Sequence, residues 1–301
     1  MTTNNICYLY SAETGIELIF CKDSTISYPL HNHVSVLTIG IILDGSLVLT
    51  VNKETKGYKQ NETFVIFPYV PHSISTHNNY TLLSLCIDKN VIKNVDVNTI
   101  QKHIQLLLMQ ALNMEKVNNP VASNGIVDSR DIHPISTHTQ LLGSLLAEIN
   151  QYQILQLLNC LSKIGDFSNC QPKNHTPYIH DLKSQLELHP ECKLTVEEMA
   201  QNVFLSKYHF IRSFKAEVGL TPHQFQIQNR IRKAQRLIRE ANTITKVALT
   251  TGFCDQSHFI KQFKKYVGLP PLAYKASFGI VPQNKSIPSG THMFFSEFKE
   301  I

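Results

Sequence analysis

Between residues 46 and 51 the chain reads SLVLTV, with Leu47, Leu49 and Val51 alternating against Ser46, Val48 and Thr50. A period of two marks a strand with one face turned to a core. ETFVIFP (62–68) and YTLLSLCI (80–87) are further runs rich in β-branched and aromatic residues, bounded by Asn, Gly and Pro. Turn signals fall at Asp44-Gly45, at Lys56-Gly57, at Pro68 and Pro71, and at His77-Asn78-Asn79. Short strands with turns at roughly ten-residue intervals predict a sandwich or barrel over residues 1–97.

After about Val97 the period lengthens. Ile100, Ile104, Leu107, Leu108, Ala111 and Leu112 recur at helical spacing, as do Leu141, Leu142, Leu145, Leu146 and Ile149, then Ile154, Leu157, Leu158 and Leu161. NNPVASNGIVDSRDIHP (118–134) reads as a loop between the first two of these runs. Residues 98–165 are thus expected to be helices flanking the barrel, with spare apolar surface for a second copy, giving a homodimer. DFSNCQPKNHTP (166–177) is polar, contains proline and lacks periodicity, which marks a linker between domains.

The chain has 301 residues, enough for two domains, and 43% hydrophobic content suited to buried cores. No apolar run reaches the roughly 18 residues of a membrane span, so no membrane partner is expected. The start, MTTNNICYLYSAETG, lacks the basic and apolar regions of a signal peptide. The 7 cysteines are odd in number, scattered and never in a CxxC pair. Reduced thiols and a cytoplasmic location are the expectation. The net charge of +5 is unevenly placed: residues 176–280 hold 15 Lys+Arg against 8 Asp+Glu, the remainder 13 against 15. A basic C-terminal third points to a polyanionic partner or to a solvated helical surface.

From Tyr178 the pattern is one of short helices. LTVEEMAQNV (194–203) opens on Thr195 with Glu198 three residues later, a capping box. A break at Phe204-Leu205 follows, Ser206 caps the next helix, and Gly219 ends it. Helix, tight turn, helix is a helix-turn-helix. The second helix spaces Phe210 and Phe214 for burial and leaves Lys207, Tyr208, Ile211 and Arg212 facing away, suited to a major groove. The pattern then recurs. ITKVALTTGF (244–253) matches the first short helix, with Thr243 or Thr245 available as its cap. Asp255 can cap a second helix that buries Phe259 and Phe263 and exposes Gln256, Ser257, His258 and Lys261. His209–Phe225 and His258–Tyr274 share 9 identities in 17 positions. His209 and His258, beside buried phenylalanines, are expected to pack rather than read. Between the copies, PHQFQIQNRIRKAQRLIRE (222–240) reads as a basic amphipathic helix with Pro222 in its first turn, which would fix the separation of two readers. Arg230 is expected to be structural.

LTVEEMAQNVFLSKYHFIRSFKAEVGLTPHQF (194–225), RIRKAQRLI (230–238) and VALTTGFCDQSHFIKQFKKYVGLPPLAY (247–274) resemble the C-terminal DNA-binding domain of the AraC family of bacterial transcription regulators. The resemblance covers about a hundred residues and implies an AraC-type domain over 178–280 with a tail at 281–301. The family's base-contacting positions fall here on Lys207, Tyr208, Ile211 and Arg212, and on Gln256, Ser257 and Lys261, with His258 beside them. Phosphate contacts fall on the helix-start amides near Ser206 and Asp255 and on Lys215 and Lys264. It also implies double-stranded DNA and RNA polymerase as partners, and activation as the output.

YPLHNHVSVLTIGIILDGSLVLTV (28–51) and NETFVIFPYVPHSIS (61–75) resemble the cupin-like sensory domain of many such regulators, with a strand pair turning at Gly45. His31, His33 and His72 occupy the histidine positions of metal-binding cupins. The glutamate of that set is absent: Ser35, Val36, Leu37 and Thr38 stand where it belongs. Three imidazoles can still hold a divalent ion, or they line a pocket for an organic effector. No cofactor is required on this reading. No acid, base and nucleophile set accompanies the histidines, so catalysis is not expected; a metal-dependent cupin enzyme fused to a DNA-binding domain is the alternative. The expected fold class is α+β: an N-terminal cupin-like barrel with flanking helices, then an all-α domain with two helix-turn-helix units.

Overall fold

The computed structural model describes residues 5–11, 16–34, 36–88, 91, 99–100, 102, 104, 151–163, 176–240 and 243–279. Much of the expected helical region, most of the linker and the tail lie outside the described residues.

Eight strands come first: β1 (Asn5–Ser11), β2 (Ile16–Ser24), β3 (Tyr28–His31), β4 (Val36–Val51), β5 (Glu54–Lys59), β6 (Thr63–Ile66), β7 (His72–Ser75) and β8 (Tyr80–Asp88). From Gln151 onward the helices among the described residues are α1 (Gln151–Lys163), α2 (Pro177–Leu188), α3 (Val196–Asn202), α4 (Lys207–Val218), α5 (Pro222–Arg239), α6 (Ile244–Thr250), α7 (Gln256–Val267) and α8 (Pro271–Ala276). A two-residue strand, β9 (Phe278–Gly279), closes the described chain. The class is mixed α+β, with an N-terminal curled antiparallel sheet and a C-terminal helical domain.

The organising element is β4. Its first half pairs antiparallel with β6 and β8, its second half with β5 and β7. One long strand thereby belongs to both halves of the curl. The change of partners falls at Asp44-Gly45, where the register with β8 shifts and Gly45 takes φ 73°. This corrects two turn assignments. Asp44-Gly45 lies inside a continuous strand, directly after a bulge at Leu43, and bulges are where a strand bends from one sheet to another. Lys56-Gly57 lies inside β5; the chain reverses instead at Asn52-Lys53, both with positive φ (49° and 75°), the geometry of a two-residue hairpin turn.

Every residue of β8 from Tyr80 to Ile87 is buried, because both sheet faces are covered. On one face Leu9, Ile16, Leu18, Ile39, Ile41 and Leu85 pack with Ile100, Ile104, Leu157 and Leu161. On the other, Ile6, Tyr8, Ile42, Tyr80 and Leu82 form one cluster with Ile231, Phe259, Phe263 and Tyr274 from the helical domain. The Tyr8 hydroxyl donates to the Val267 carbonyl at 3.1 Å, and β9 pairs in parallel with β1 through Tyr8↔Phe278 and Leu9↔Gly279. Arg239 ion-pairs with Glu17 across the same seam while its guanidinium lies 4.2 Å from the Tyr10 ring centroid.

Candidate nucleic-acid interface and histidine cluster

The helical domain is built by short-range signals acting as the sequence predicts. Thr195 and Glu198 form a reciprocal capping box on α3, Ser206 accepts the His209 amide at the start of α4, and Gly219 ends α4 in the left-handed conformation at φ 78°. In the second unit Thr243 caps α6, while the Thr245 hydroxyl donates to Gln256 at 3.0 Å. Asp255 caps α7 and Gly268 ends it at φ 86°. A second capping box, Thr221 with Gln224, opens α5 ahead of Pro222. The T-P-x-Q spacing at 221–224 carries that signal in the sequence itself.

Phe210, Phe214, Phe259 and Phe263 are all fully buried. Their burial fixes the rotation of α4 and α7 and so decides which side chains face out. On α4, Lys207, Tyr208, Arg212 and Lys215 are exposed and Ile211 is half-buried. On α7, Gln256, Ser257, Lys261 and Lys264 are exposed and His258 is half-buried. Lys207 pairs with Glu197 of α3, which holds the lysine pKa up and the carboxyl down. His258 packs edge-on to Phe253, with centroids 5.5 Å apart. His209 does not pack as expected: it is exposed, because the position one before Phe210 is turned about 100° off the face that Phe210 and Phe214 bury.

Helix α5 is more deeply enclosed than its basic composition suggests, with Phe225 through Asn229 buried in five consecutive positions. A helix buried on nearly every side has partners all round. Arg230 supplies one set: its guanidinium donates to the carbonyls of Pro190, Cys192 and Gly252 at 2.7, 3.0 and 2.9 Å. It therefore ties α5 to the start of the first unit and to the turn of the second.

His31, His33 and His72 converge. Their ring centroids lie 4.1 Å (31–72), 4.9 Å (33–72) and 5.3 Å (31–33) apart, and one ligand nitrogen from each falls within 4.8 Å of the others. His31 Nδ1 meets the Pro29 carbonyl at 2.7 Å and His72 Nδ1 meets the Val70 carbonyl at 3.0 Å. A carbonyl can only accept, so each of these rings carries its proton on Nδ1 and keeps a bare Nε2. His33 Nδ1 meets the Thr38 hydroxyl at 2.8 Å, so Thr38 is what the absent glutamate's region offers instead. Burial pushes His31 down to about 3 and His72 to about 4, and His33 well below its usual range; Arg232 adds to the effect on all three, and neighbouring imidazoles add to it on His31 and His33. Neutral rings with fixed tautomers and backbone-anchored Nδ1–H groups are what a divalent cation requires of histidine ligands. The residues present fit such an ion.

Residues 199–277 match the family model described as "Helix-turn-helix domain". A probable transcriptional regulator, LumQ, of Photobacterium leiognathi is 29% identical over 130 residues, 40% of this chain and 52% of that one. The HTH-type transcriptional regulator YbfI of Bacillus subtilis is 24% identical over 235 residues, 76% of this chain and 80% of that one. Residues 199–277 are therefore an AraC-type helix-turn-helix domain. The chain spans about half the length of the first of these relatives and four fifths of the second. Among solved structures, ToxT of Vibrio cholerae is similar over 87% of this chain and 98% of its own, at 12% identity and a TM-score of 0.47. The matched region holds α4, α7 and the whole of α5. No helix among the described residues is long and apolar enough to cross a membrane.

Proposed function

We propose that this chain is an AraC-family regulator that reads a specific duplex site with α4 and α7 and regulates transcription in response to an effector held in the N-terminal barrel. The observation that carries the reading is the duplicated unit. Two helices with the same spacing of buried phenylalanines, each opened by a side-chain cap (Ser206, Asp255) and ended by a glycine, turn different polar faces to solvent. Lys207, Tyr208, Ile211 and Arg212 face one groove, and Gln256, Ser257, His258 and Lys261 the next, with Lys215 and Lys264 on phosphates. Domain limits at 1–97, 98–165, 166–177, 178–280 and 281–301 go with this reading, as do homodimerisation through the 98–165 helices, RNA polymerase as partner and activation as output. Arg212→Ala tests it. Arginine pairs bidentately with guanine, so its removal is expected to cost about 1–3 kcal/mol at a specific site and much less on random DNA. Equal loss on both would reduce Arg212 to a phosphate contact.

The effector that the His31, His33 and His72 cluster favours is a divalent cation, since two of its rings present bare Nε2 atoms in a buried place. A bound ion would supply a fixed positive charge among these three rings and open coordination positions for a further ligand. Metal analysis of the purified full chain should find one ion per chain, lost in His31→Ala and in His72→Ala. An unchanged metal content in both variants would move the effector elsewhere. Stoichiometric metal together with turnover of a substrate would favour the enzyme alternative; the relatives being regulators speaks against it.

A further inference from the structure

The histidine cluster sits on two of the segments by which the barrel holds the DNA-binding half. Asn32, between His31 and His33, is 0% exposed. Its amide N–H donates to Gln228 Oε1 at 3.1 Å, and its side-chain oxygen accepts from Gln228 Nε2 at 2.8 Å. Its carbonyl accepts from both Gln228 and Arg232. Gln228 and Arg232 are one turn apart on α5, the helix that joins the two readers. The third histidine is placed in the same way. In the segment before His72, Tyr69 donates its amide to the His33 carbonyl at 2.6 Å, and Pro71 lies so close to Gly219 that a Cβ there would sit 2.0 Å from the proline ring. Gly219 ends the first reader helix.

Two physical consequences follow. Drawing three imidazoles onto one ion moves the backbone on either side of Asn32, whose N–H and C=O are both committed to α5. A divalent cation also adds charge next to the Arg232 guanidinium, whose field already acts on all three rings. Burial has lowered Arg232 to about 10, well within the range where it stays charged. Like charges at low dielectric repel more strongly than in water. The Asn32 Nδ2 atom is buried with no hydrogen-bond partner in the described structure, so this contact is imperfectly satisfied even before anything binds.

We infer that filling the histidine site and docking of the barrel on α5 through Asn32, Gln228 and Arg232 oppose one another, so that a bound cation loosens the barrel's hold on the helix that spaces the two readers. This rests on the cation reading of the cluster. By linkage the opposition is mutual: whatever weakens the Arg232 contact tightens metal binding by the same factor.

Co²⁺ titration of the full chain, read by its visible ligand-field bands, tests both steps. Wild type is expected to bind one Co²⁺. Arg232→Met is expected to bind it about tenfold more tightly or better, within the usual span of coupling between sites. Arg232→Lys, which keeps the charge, should stay near wild type. A variant that merely misfolds would lose affinity rather than gain it. In wild type, where no substitution intervenes, Zn²⁺ should speed hydrogen exchange of the 28–36 segment, whose Asn32 amide is bonded to Gln228. Absence of Co²⁺ binding by wild type would remove the cation reading and the inference with it. Binding with equal affinity in wild type and Arg232→Met, and unchanged exchange at 28–36, would leave the cation site standing and overturn the coupling alone.

Discussion

Gly219 and Gly268 end the two reader helices in the same left-handed turn, yet they face different parts of the barrel. Gly219 abuts Pro71 beside the histidine cluster, whereas Gly268 faces the Tyr28 hydroxyl, Ile26 and Ile6 on the sheet. The cores diverge in the same way. Phe210, Phe214 and Phe225 pack with Ile179, Leu182, Leu186 and Met199, and the barrel contributes Val34 and Tyr69 at the margin. Phe259 and Phe263 instead share a cluster with Ile6, Tyr8, Cys21, Ile42 and Tyr80. A repeated sequence pattern has built two matching helix-turn-helix units, one with a core largely its own and one continuous with the sheet. The local code sets the helix and its caps; what the helix rests on is set by residues far away in the chain.

The sharpest way to break that contrast is to empty the two cores in turn. Phe214→Ala and Phe263→Ala each remove a fully buried ring, and each is expected to cost about 3–5 kcal/mol. The cost should spread differently. Hydrogen exchange after Phe263→Ala should rise in β1 and β2 as well as in α7, since Tyr8 and Cys21 border the cavity. After Phe214→Ala it should rise within residues 178–221 and leave β2 protected. Matching patterns in the two variants would show that the units are mechanically equivalent after all.

Much of this was legible in the sequence because it depends on neighbours within a few residues. Thr195 with Glu198, Ser206, Asp255 and the two terminal glycines act at separations of three or four, and the phenylalanine spacing reports a helical face directly. The unbroken apolar run at 80–87 even carried the information that both faces of β8 are covered. The histidine trio was legible only through its resemblance to a known pattern. Less readable was anything decided between distant segments. Asp44-Gly45 has turn composition, but the partners on either side of β4 keep the strand going, with a bulge at Leu43 in place of a turn. Lys56-Gly57 fails for a related reason, because Asn52-Lys53 had already reversed the chain. Glu17 looks like an ordinary polar residue of an alternating strand, and only the fold brings Arg239 to it. The burial of Gln226, Gln228 and Asn229 is invisible to polarity: each is buried because it bonds to the backbone of Cys192, Asn32 or Phe225.

Arg230 offers a smaller perturbation that acts on the link between the units. It satisfies carbonyls belonging to Pro190 and Cys192 near the first unit and to Gly252 in the second. Arg230→Met keeps much of the packing volume and removes all of those bonds. The expected cost is about 1.5–3 kcal/mol, the range for a charged donor lost to buried acceptors. The informative readout is DNA affinity against half-site spacing. Wild type should prefer one spacing sharply, because α5 and Arg230 hold the readers at a fixed separation. The variant should tolerate neighbouring spacings with a lower peak affinity. A uniform drop at every spacing would mean that Arg230 stabilises the domain without setting its geometry.

Tyr8→Phe is the mildest change and isolates the second unit's hold on the sheet. It deletes one oxygen and keeps the ring, so the edge-on contact with Tyr274 at 4.9 Å survives. What is lost is the 3.1 Å bond to the Val267 carbonyl in the last turn of α7. That carbonyl is one of the helix-end acceptors left without an intrahelical donor, and a single hydrogen bond of this kind is worth about 1 kcal/mol. Only a chain in which α7 leans on β1 feels the substitution at the far end of the reader helix. The expected sign is a loss of about that size in unfolding free energy, with faster exchange at residues 265–269 and none at 215–219. Since Gly219 and Gly268 occupy the same place in the two copies, exchange at 215–219 is an internal control within the one protein. If both ends respond alike, the docking of the second unit is no different in kind from that of the first.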